Sequence, residues 1–462
     1  MKPRKPDVAK TDDLFRSRLD QIINTTHELV QLADRIDWEY LDGKVAPFFA
    51  VEGRPAIRSR LIIGLHLLKH MHQLSDENVC AQWIENPYYQ YFCGEEYFQH
   101  TFPIQRSSMT HWRQRVGEGF FDTLIQESLR IAFDSKALKK NQLKRIVVDT
   151  TVQPKAVAFP TDVQLRYKAL CALVTLAKQH NVSLRQSYLR VCKKALVQSG
   201  RYRHAKQLKR ARKAERFVTV RLGRVIRDIR RNICDNDELH TLFYESLRKA
   251  TVLQKQQQRS KDKVYSWHAP EVECIGKGKA AKSYEFGCKV SVTTSINPSP
   301  GGHFVLHIGA LHGRPFDGHT LKPVLEAYKK QIGIDPERIY VDKGYRGHRH
   351  EPKNRVFKSG QRRGVTPSIK RELKRRSVVE PIIGHLKADH HLGRNYLKGV
   401  QGDNLNALLS GAGYNFRLLL KWFRLLFALR LITRYAHKRK NGRQWITNGR
   451  PFFEMMILKP SF

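Results

Sequence analysis

Two stretches of this sequence have the same form: Ile146-Val147-Val148-Asp149 and Ile339-Tyr340-Val341-Asp342 are apolar triplets that end in an aspartate. Short apolar runs that stop at a polar residue are typical of buried strands in a parallel sheet. If the two strands are neighbours, both carboxylates emerge at one sheet edge, where α/β proteins bind their ligands. Adjacent carboxylates repel unless a cation separates them, so the pair predicts a site for Mg²⁺ or Mn²⁺. The alternative is that each aspartate only begins a turn.

A third acid, Glu380, lies near the start of a helix predicted over residues 377–392. Arg376, Glu380 and Lys387 are spaced so that they share one helix face. Glu380 could complete the metal site while the two cations bind phosphates on either side of a cleaved bond. An ordinary surface ladder of salt bridges is the alternative. Pro381 favours a position of Glu380 in the first helical turn.

The remaining patterns predict a mixed α/β fold. Strand patterns occur at residues 284–296 and 303–308 and are joined by a turn at 298–302, and a helix is predicted over 318–331. A long helical insertion follows the first strand. The predicted domains are a helical N-terminal DNA-binding domain in residues 1–135, a catalytic domain in residues 140–400 interrupted at about 160–265, and a basic helical C-terminal region in residues 401–462.

The N-terminal region has the capping and helix-ending residues that are typical of several short helices. An apolar helical pattern in residues 55–73 is followed by a turn and by Ser75, which has the form of an N-cap. Pro87 ends that helix, and Gly117 ends a later one that opens near Ser108. A helix-turn-helix that binds DNA is one interpretation. Such helix pairs also occur in folds that never contact DNA.

The charge of the chain predicts a polyanionic partner. Lysine and arginine number 84 against 42 aspartates and glutamates, which gives a formal net charge of +42 and a pI near 10.2. Nucleic acid is the expected partner. The densest tract of basic residues lies in residues 193–231. Cations this close together in the chain repel one another unless anions neutralise them, so contact with phosphates is favoured over a solvated helix face. The cations of this tract predicted to bind DNA are Arg201, Arg203, Lys206, Lys209, Arg210 and Arg212.

Membrane and disulfide-dependent classes are not favoured. Residues 413–432 are rich in leucine and phenylalanine, but four cations interrupt them, which predicts a packed or DNA-facing helix. The basic residues 1–10 precede no apolar run, so a cytoplasmic, nucleoid-associated protein is expected. Seven scattered cysteines form no Cys-x-x-Cys pair. His390 and His391 are interpreted as exposed helix-end residues in preference to a metal site.

Five motifs together resemble those of the DDE-type transposases of bacterial insertion sequences, in the insertion-sequence-five group. The signature Tyr-x2-Arg-x3-Glu-x6-Lys of that group is met by Arg376, Glu380 and Lys387, whereas Leu373 stands at the tyrosine position, so no role of a tyrosine ring or hydroxyl is carried over. Residues 54–117 also resemble the group's helical DNA-binding domain. The other matching motifs are Val148-Asp149-Thr150-Thr151, Gly276-Lys277-Gly278-Lys279 through Glu285-Phe286-Gly287, Asp317-Gly318-His319-Thr320 and Asp342-Lys343-Gly344-Tyr345-Arg346-Gly347.

The resemblance implies a ribonuclease H-like catalytic domain whose catalytic and metal-binding residues are Asp149, Asp342 and Glu380, with two Mg²⁺ or Mn²⁺ ions. It further implies hydrolysis at the inverted terminal repeats of an insertion sequence, attack of the freed 3′ hydroxyl on target DNA, and a homodimer on double-stranded DNA. Lys343 and Arg346 are expected to join Arg376 and Lys387 in binding that DNA.

Three alternatives remain at this stage. Tyr345 lies close to Asp342 and could be a nucleophile, although no arginine-histidine set surrounds it in the sequence. Asp317 is a substitute acid, and its place before a helix equally suits an N-cap. A protein of another class, a non-catalytic nucleic-acid-binding protein or an inactive transposase remnant, would share the basic charge.

Overall fold

The computed structural model describes residues 17–50, 56–257, 260–261, 263–276, 283–348 and 355–440, with side-chain environments as far as residue 435. Parts of the sequence used above lie outside the described residues: the basic segment 1–10, Arg54 with Pro55 at the start of a predicted helix, the Lys277-Gly278-Lys279 portion of one motif, and the tail from residue 441.

A six-stranded mixed sheet confirms the predicted α/β class. The strand order is β2-β3-β1-β5-β6, and β4 pairs with β3. Strand β3 is antiparallel to β1, β2 and β4, whereas β1 and β5, and β5 and β6, are parallel. The strands are β1 (Arg145–Pro154), β2 (Glu273–Gly276), β3 (Tyr284–Ser295), β4 (Val305–Leu311), β5 (Arg338–Val341) and β6 (Val356–Lys358).

The two apolar triplets lie side by side, as the sequence predicts. Ile146 pairs with Ile339 and Val147 with Tyr340 in the parallel register of β1 and β5. The expectation that Asp149 lies at a strand tip is wrong. Strand β1 continues for five residues beyond Asp149 because it stays paired with β3, while β5 ends at Val341. Asp149 is therefore held within a continuing strand, and Asp342 begins a loop.

Gly287 on β3 lies where two strands approach each other closely. A Cβ atom built there would lie 1.9 Å from the carbonyl oxygen of Gln153 and 2.9 Å from the Cα of Pro154, both backbone atoms of β1. A larger residue must therefore push the two strands apart. We expect Gly287→Ala to lower the free energy of unfolding by roughly 1–3 kcal/mol, measured by denaturant unfolding.

Gly276 provides the matched control for this prediction. It lies at the end of β2 in the same sheet, and a Cβ atom there would meet nothing within 4 Å. Gly276→Ala should leave stability close to that of the wild type. Equal stabilities of the two alanine variants would show that the close approach of β1 and β3 does not require a glycine.

The N-terminal region is helical, as predicted. Ser75 caps α5 by accepting a hydrogen bond from the Asn78 amide, and α7 ends at Gly117, whose φ of 68° suits a residue without a side chain. The helices are α1 (Leu19–Ile22), α2 (Glu28–Ala33), α3 (Trp38–Val45), α4 (Ser59–Met71), α5 (Asp76–Glu85), α6 (Pro87–Phe92), α7 (Ser107–Val116) and α8 (Glu118–Asp134).

The long helix α16 (Gly399–Lys440) joins these helices to the sheet. It packs against α2, α4, α8 and β4, and its first half is mostly buried. The apolar part of residues 413–432 as far as Phe423 therefore packs inside the protein, and the later part is largely exposed. One hydrophobic core contains side chains of the N-terminal helices, the sheet and α16. The predicted boundary near residue 135 stays a prediction.

The predicted insertion between β1 and β2 is a group of four helices. They enclose a second hydrophobic core, separate from the main one, which includes Val218, Leu222 and Phe243. No helix in the described ranges is both long and apolar enough to cross a membrane. The insertion helices are α9 (Asp162–Gln179), α10 (Leu189–His204), α11 (Leu208–Asn232) and α12 (Asp237–Lys255), and those after β4 are α13 (Asp317–Ile332), α14 (Pro367–Arg375) and α15 (Val379–Asp389).

Candidate active site

Three predicted acids surround one guanidinium group. The Nη1 atom of Arg376 lies 3.4 Å from Oδ2 of Asp149, and its Nη2 atom lies 3.8 Å from Oδ1 of Asp342 and 3.4 Å from Oε1 of Glu380. The arginine side chain is only 12% exposed. Acids from β1, from the end of β5 and from α15 are thus brought together although more than 200 residues separate the first from the last.

The position of Arg376 differs from the one predicted. It lies on a short 3-10 turn, Arg376–Val378, between α14 and α15, instead of preceding a single helix over residues 377–392. Glu380 is in the first turn of α15, as Pro381 indicated. The guanidinium group lies among the three acids, and its expected contact with a DNA phosphate stays a prediction.

Glu372, which the sequence analysis missed, fixes this helix pair to the sheet. Its buried carboxylate accepts hydrogen bonds from Nη1 of Arg145 and Nη1 of Arg338, each at 2.9 Å, and from the hydroxyl of Tyr340. These donors come from β1 and β5, so α14 is tied to the two strands that carry the aspartates. The signal in the sequence is a carboxylate four residues before Arg376, but only the fold shows its three partners.

Asp149 is a mostly buried acid with an altered proton affinity. Burial raises its pKa from the ordinary value of 3.8 to about 6, and the nearby negative charges of Asp342 and Asp317 add to the increase. The amide of Thr150, which donates to Oδ1 at 2.8 Å, and the Arg376 guanidinium lower the pKa and only partly compensate. An additional cation beside Asp149 would favour its ionised form.

Asp317 lies next to this group of acids. Its Oδ1 accepts hydrogen bonds from Oγ1 of Thr150 at 2.8 Å and from Nζ of Lys289 at 2.9 Å. The N-cap interpretation is wrong, since Phe316 occupies the N-cap of α13 and the Asp317 side chain is directed to β1 and β3 instead. Because Lys289 neutralises it and Thr150 follows Asp149 directly, Asp317 supports the strand that carries Asp149.

The donor atoms of the three acids fit a hard divalent cation. All are carboxylate oxygens, the ligands that Mg²⁺ and Mn²⁺ prefer. The oxygens do not all lie within 4.8 Å of one another in the described structure, where Arg376 lies between them. Ion binding would therefore require the guanidinium to move aside and the carboxylates to approach each other. Asp342 and Glu380, with side chains 50% and 64% exposed, have room to do so.

The other predicted residues near the acids have distinct positions. Lys343 and Arg346 are exposed on the turn that follows Asp342. Lys387 is half-buried two turns after Glu380 on α15. Tyr345 is 1% exposed, and burial raises the pKa of its hydroxyl well above the usual value, which argues against a tyrosine nucleophile.

Leu373 and His390 pack in the interior or against it. Leu373, at the position of the family tyrosine, is half-buried against the main core. The expectation that His390 is exposed is wrong: its side chain is buried against Tyr414, its Nδ1 atom lies 2.7 Å from the carbonyl oxygen of His70, and burial lowers its pKa to about 4. His391, also predicted to be exposed, is partly buried.

The cationic tract forms an exposed surface on α10 and α11 of the insertion. Arg203 is partly neutralised there, because its Nε atom donates to Oε1 of Glu215 at 2.7 Å. Within the described residues, Arg201, Lys206, Lys209 and Arg212 form no ion pair and are exposed. Arg210 donates to the neutral side chain of Gln207. This surface belongs to the insertion and is not part of the acid cluster.

Comparison with known proteins adds the following findings. Residues 17–115, which contain α1 to α6 and nearly all of α7, match a transposase domain family (DUF772). An uncharacterized protein, ORF8 in the nfe locus of Rhizobium meliloti, is 50% identical over 207 residues, which is 45% of this chain and 100% of that protein. No solved structure matches the chain. The chain therefore belongs to the same family as this Rhizobium meliloti protein, and its residues 17–115 match a transposase domain.

Proposed function

We propose that this protein is a DDE-type transposase of the insertion-sequence-five group, which cleaves and rejoins DNA phosphodiesters at Asp149, Asp342 and Glu380. The observation that carries the proposal is the convergence of these three carboxylates on Arg376. A surface salt-bridge ladder would not include a residue of a central strand such as Asp149, whose side chain is only 19% exposed. The transposase domain in residues 17–115 independently supports a role in transposition.

The sheet supports a ribonuclease H-like catalytic domain. The parallel neighbours β1 and β5 carry Asp149 and lead into Asp342. Strand β3 pairs antiparallel with the other edge of β1, and α15 carries the third acid, Glu380. The acids lie near the point where β5 ends, which is the usual place for ligands in a sheet with parallel strands.

Each residue has a defined task in this proposal. Two Mg²⁺ or Mn²⁺ ions, when bound, would activate the attacking water or 3′ hydroxyl and stabilise the leaving oxygen. Asp149, Asp342 and Glu380 would hold them. The positive charge of Arg376 partly neutralises the three acids before the ions bind, and its guanidinium group then becomes available to a DNA phosphate. Glu372 keeps α14, and thereby Arg376, in register with β1 and β5.

The substrate is double-stranded DNA, first the terminal inverted repeats of an insertion sequence and then a target. Lys343, Arg346 and Lys387 would bind phosphates beside the scissile bond, and the surface on α10 and α11 would bind the DNA farther away. Since two DNA ends must be paired, the working form is a homodimer. Its place of action is the bacterial nucleoid.

The proposal is tested by cleavage of DNA that carries the sequences flanking the gene for this protein. We expect full-length protein with Mg²⁺ to nick this DNA and transfer the freed strand, and Asp342→Asn to reduce the rate by at least ~10²-fold. Asp335→Asn is the matched control, because Asp335 lies near β5 but pairs with exposed Arg355.

The outcomes separate the two classes of function. Cleavage that depends on Asp342 and not on Asp335 supports the transposase. Undiminished cleavage by Asp342→Asn would remove the assigned site. If the wild-type protein binds the DNA but cuts it with neither Mg²⁺ nor Mn²⁺, it is a DNA-binding remnant.

A further inference from the structure

Three potential metal ligands meet on the far part of the sheet, separate from the proposed active site. The ligand atoms of Cys288, His312 and Asp403 lie within 4.8 Å of one another, and no other such group of cysteine, histidine and acid ligands occurs among the described residues. Cys288 is on β3, His312 directly follows β4, and Asp403 is in an early turn of α16. We propose that these three residues bind one zinc-class divalent cation.

His312 provides the first independent support. Its Nε2 atom is buried and has no hydrogen-bond partner, although the side chain as a whole is 25% exposed. A buried ring nitrogen without a partner costs free energy unless something binds it. Oδ2 of Asp403 lies 3.8 Å from this Nε2 atom, too far for a hydrogen bond. The Nε2 atom of His312 and the Oδ2 atom of Asp403 therefore face each other across a gap that a bound ion would fill.

The surrounding hydrogen bonds are those expected around metal ligands. Oδ1 of Asp403 accepts from Nζ of Lys155 and from Nδ2 of Asn395, both at 2.7 Å, which orients the carboxylate and leaves Oδ2 available. Nε2 of Gln153 lies 3.5 Å from Sγ of Cys288. Partners of this kind position the ligands and tune their donor strength.

The buried charges also favour a divalent ion. Lys155 is paired with both Glu271, at 2.9 Å, and Asp403, at 2.7 Å, so the network holds one positive and two negative side chains. Adding a divalent cation while the Cys288 thiol releases its proton to solvent brings the total to zero. A buried site with no net charge avoids most of the cost of isolated ions.

The chemistry of the ligands selects the class of cation. One thiolate, one imidazole and one carboxylate suit borderline-soft Zn²⁺, whereas Mg²⁺ prefers oxygen ligands only. Three protein ligands leave a fourth position for water. The ion would cross-link β3, the end of β4 and α16, so its role is to hold α16 on the sheet.

Cobalt binding tests this proposal without reference to DNA cleavage. Full-length protein, stripped with a chelator and titrated with Co²⁺, should develop a sulfur-to-cobalt charge-transfer absorption at one equivalent, and Zn²⁺ should displace it. The proposed active site has no cysteine ligand, so it cannot give this absorption. His312→Ala should weaken Co²⁺ binding by more than ~10²-fold, since loss of even a supporting residue costs 10- to 100-fold.

Two further variants make the test specific. Asp149→Asn should retain the absorption, which separates this site from the catalytic acids. Cys274→Ser is the control for the thiol, because Cys274 lies on neighbouring β2 and is only half-buried. Absence of the absorption in wild-type protein, or its full persistence in both Cys288→Ser and His312→Ala, would overturn the proposal.

Discussion

Asp149→Asn is expected to slow Mg²⁺-dependent cleavage by at least ~10²-fold and, in the absence of metal, to make the protein more stable at neutral pH. Asparagine retains the acceptor for the Thr150 amide but removes the charge that would hold a cation. Loss of one group that stabilises developing charge typically lowers a rate by ~10²- to 10³-fold. Both effects have the same cause, since the fold holds the charged carboxylate of Asp149 in a mostly buried position.

The direction of the stability change follows from the pKa of Asp149. Below pH 3.8 the carboxyl is protonated in both folded and unfolded chains, and no difference arises. Between pH 3.8 and about 6 the unfolded chain releases the proton while the folded chain retains it, so stability is lost as the pH rises. Above this window the loss is complete and amounts to about 3 kcal/mol, at 1.36 kcal/mol per pKa unit.

Unfolding of wild type and Asp149→Asn at pH 4 and at pH 7.5, without metal, measures this effect. The two proteins should have similar stability at pH 4, and the variant should be the more stable one at pH 7.5. Added Mg²⁺ should raise the stability of the wild type more than that of the variant. A constant difference across the pH range would show that Asp149 does not carry the pKa shift.

The strands that carry Asp149 and end at Asp342 could be predicted because the signal for each one is local in the sequence. Val147 and Tyr340 each belong to an apolar run that ends in an acid, and such runs pair in only a few ways. The sequence could not show that β1 continues past Asp149. Its length is set by pairing with β3, which lies more than a hundred residues later in the chain.

The parts that sequence reasoning missed all depend on interactions between distant segments. Glu372 has the pattern of an ordinary helix-surface residue until β1 and β5 supply its arginine partners. The spacing predicts that Arg376 lies close to Glu380, but its position among the acids requires the turn between α14 and α15. No sequence spacing relates Cys288 to Asp403, whose potential ligand atoms the fold brings within 4.8 Å of each other.

Neutralising the exposed cations of the insertion should weaken DNA binding more than any other surface change. We expect glutamine at Arg201, Lys206, Lys209 and Arg212 together to lower the affinity on the order of 10²-fold at physiological ionic strength, because fewer counterions are released on binding. The slope of log affinity against log salt should become shallower by up to ~0.9 for each DNA phosphate that the variant no longer neutralises. Filter binding over a salt series measures both quantities.

Arg203 is the internal control for this experiment, because Glu215 already pairs with it. Arg203→Gln should change the affinity less than the same substitution at Arg201, its exposed neighbour on α10. All of these side chains lie outside the hydrophobic core of the insertion, so the variants should keep their helical content. The decrease in affinity should be equal on unrelated DNA duplexes, since binding to phosphates carries no sequence information. An unchanged salt slope would mean that DNA does not contact α10 and α11, and that other basic residues of this protein bind the DNA phosphates.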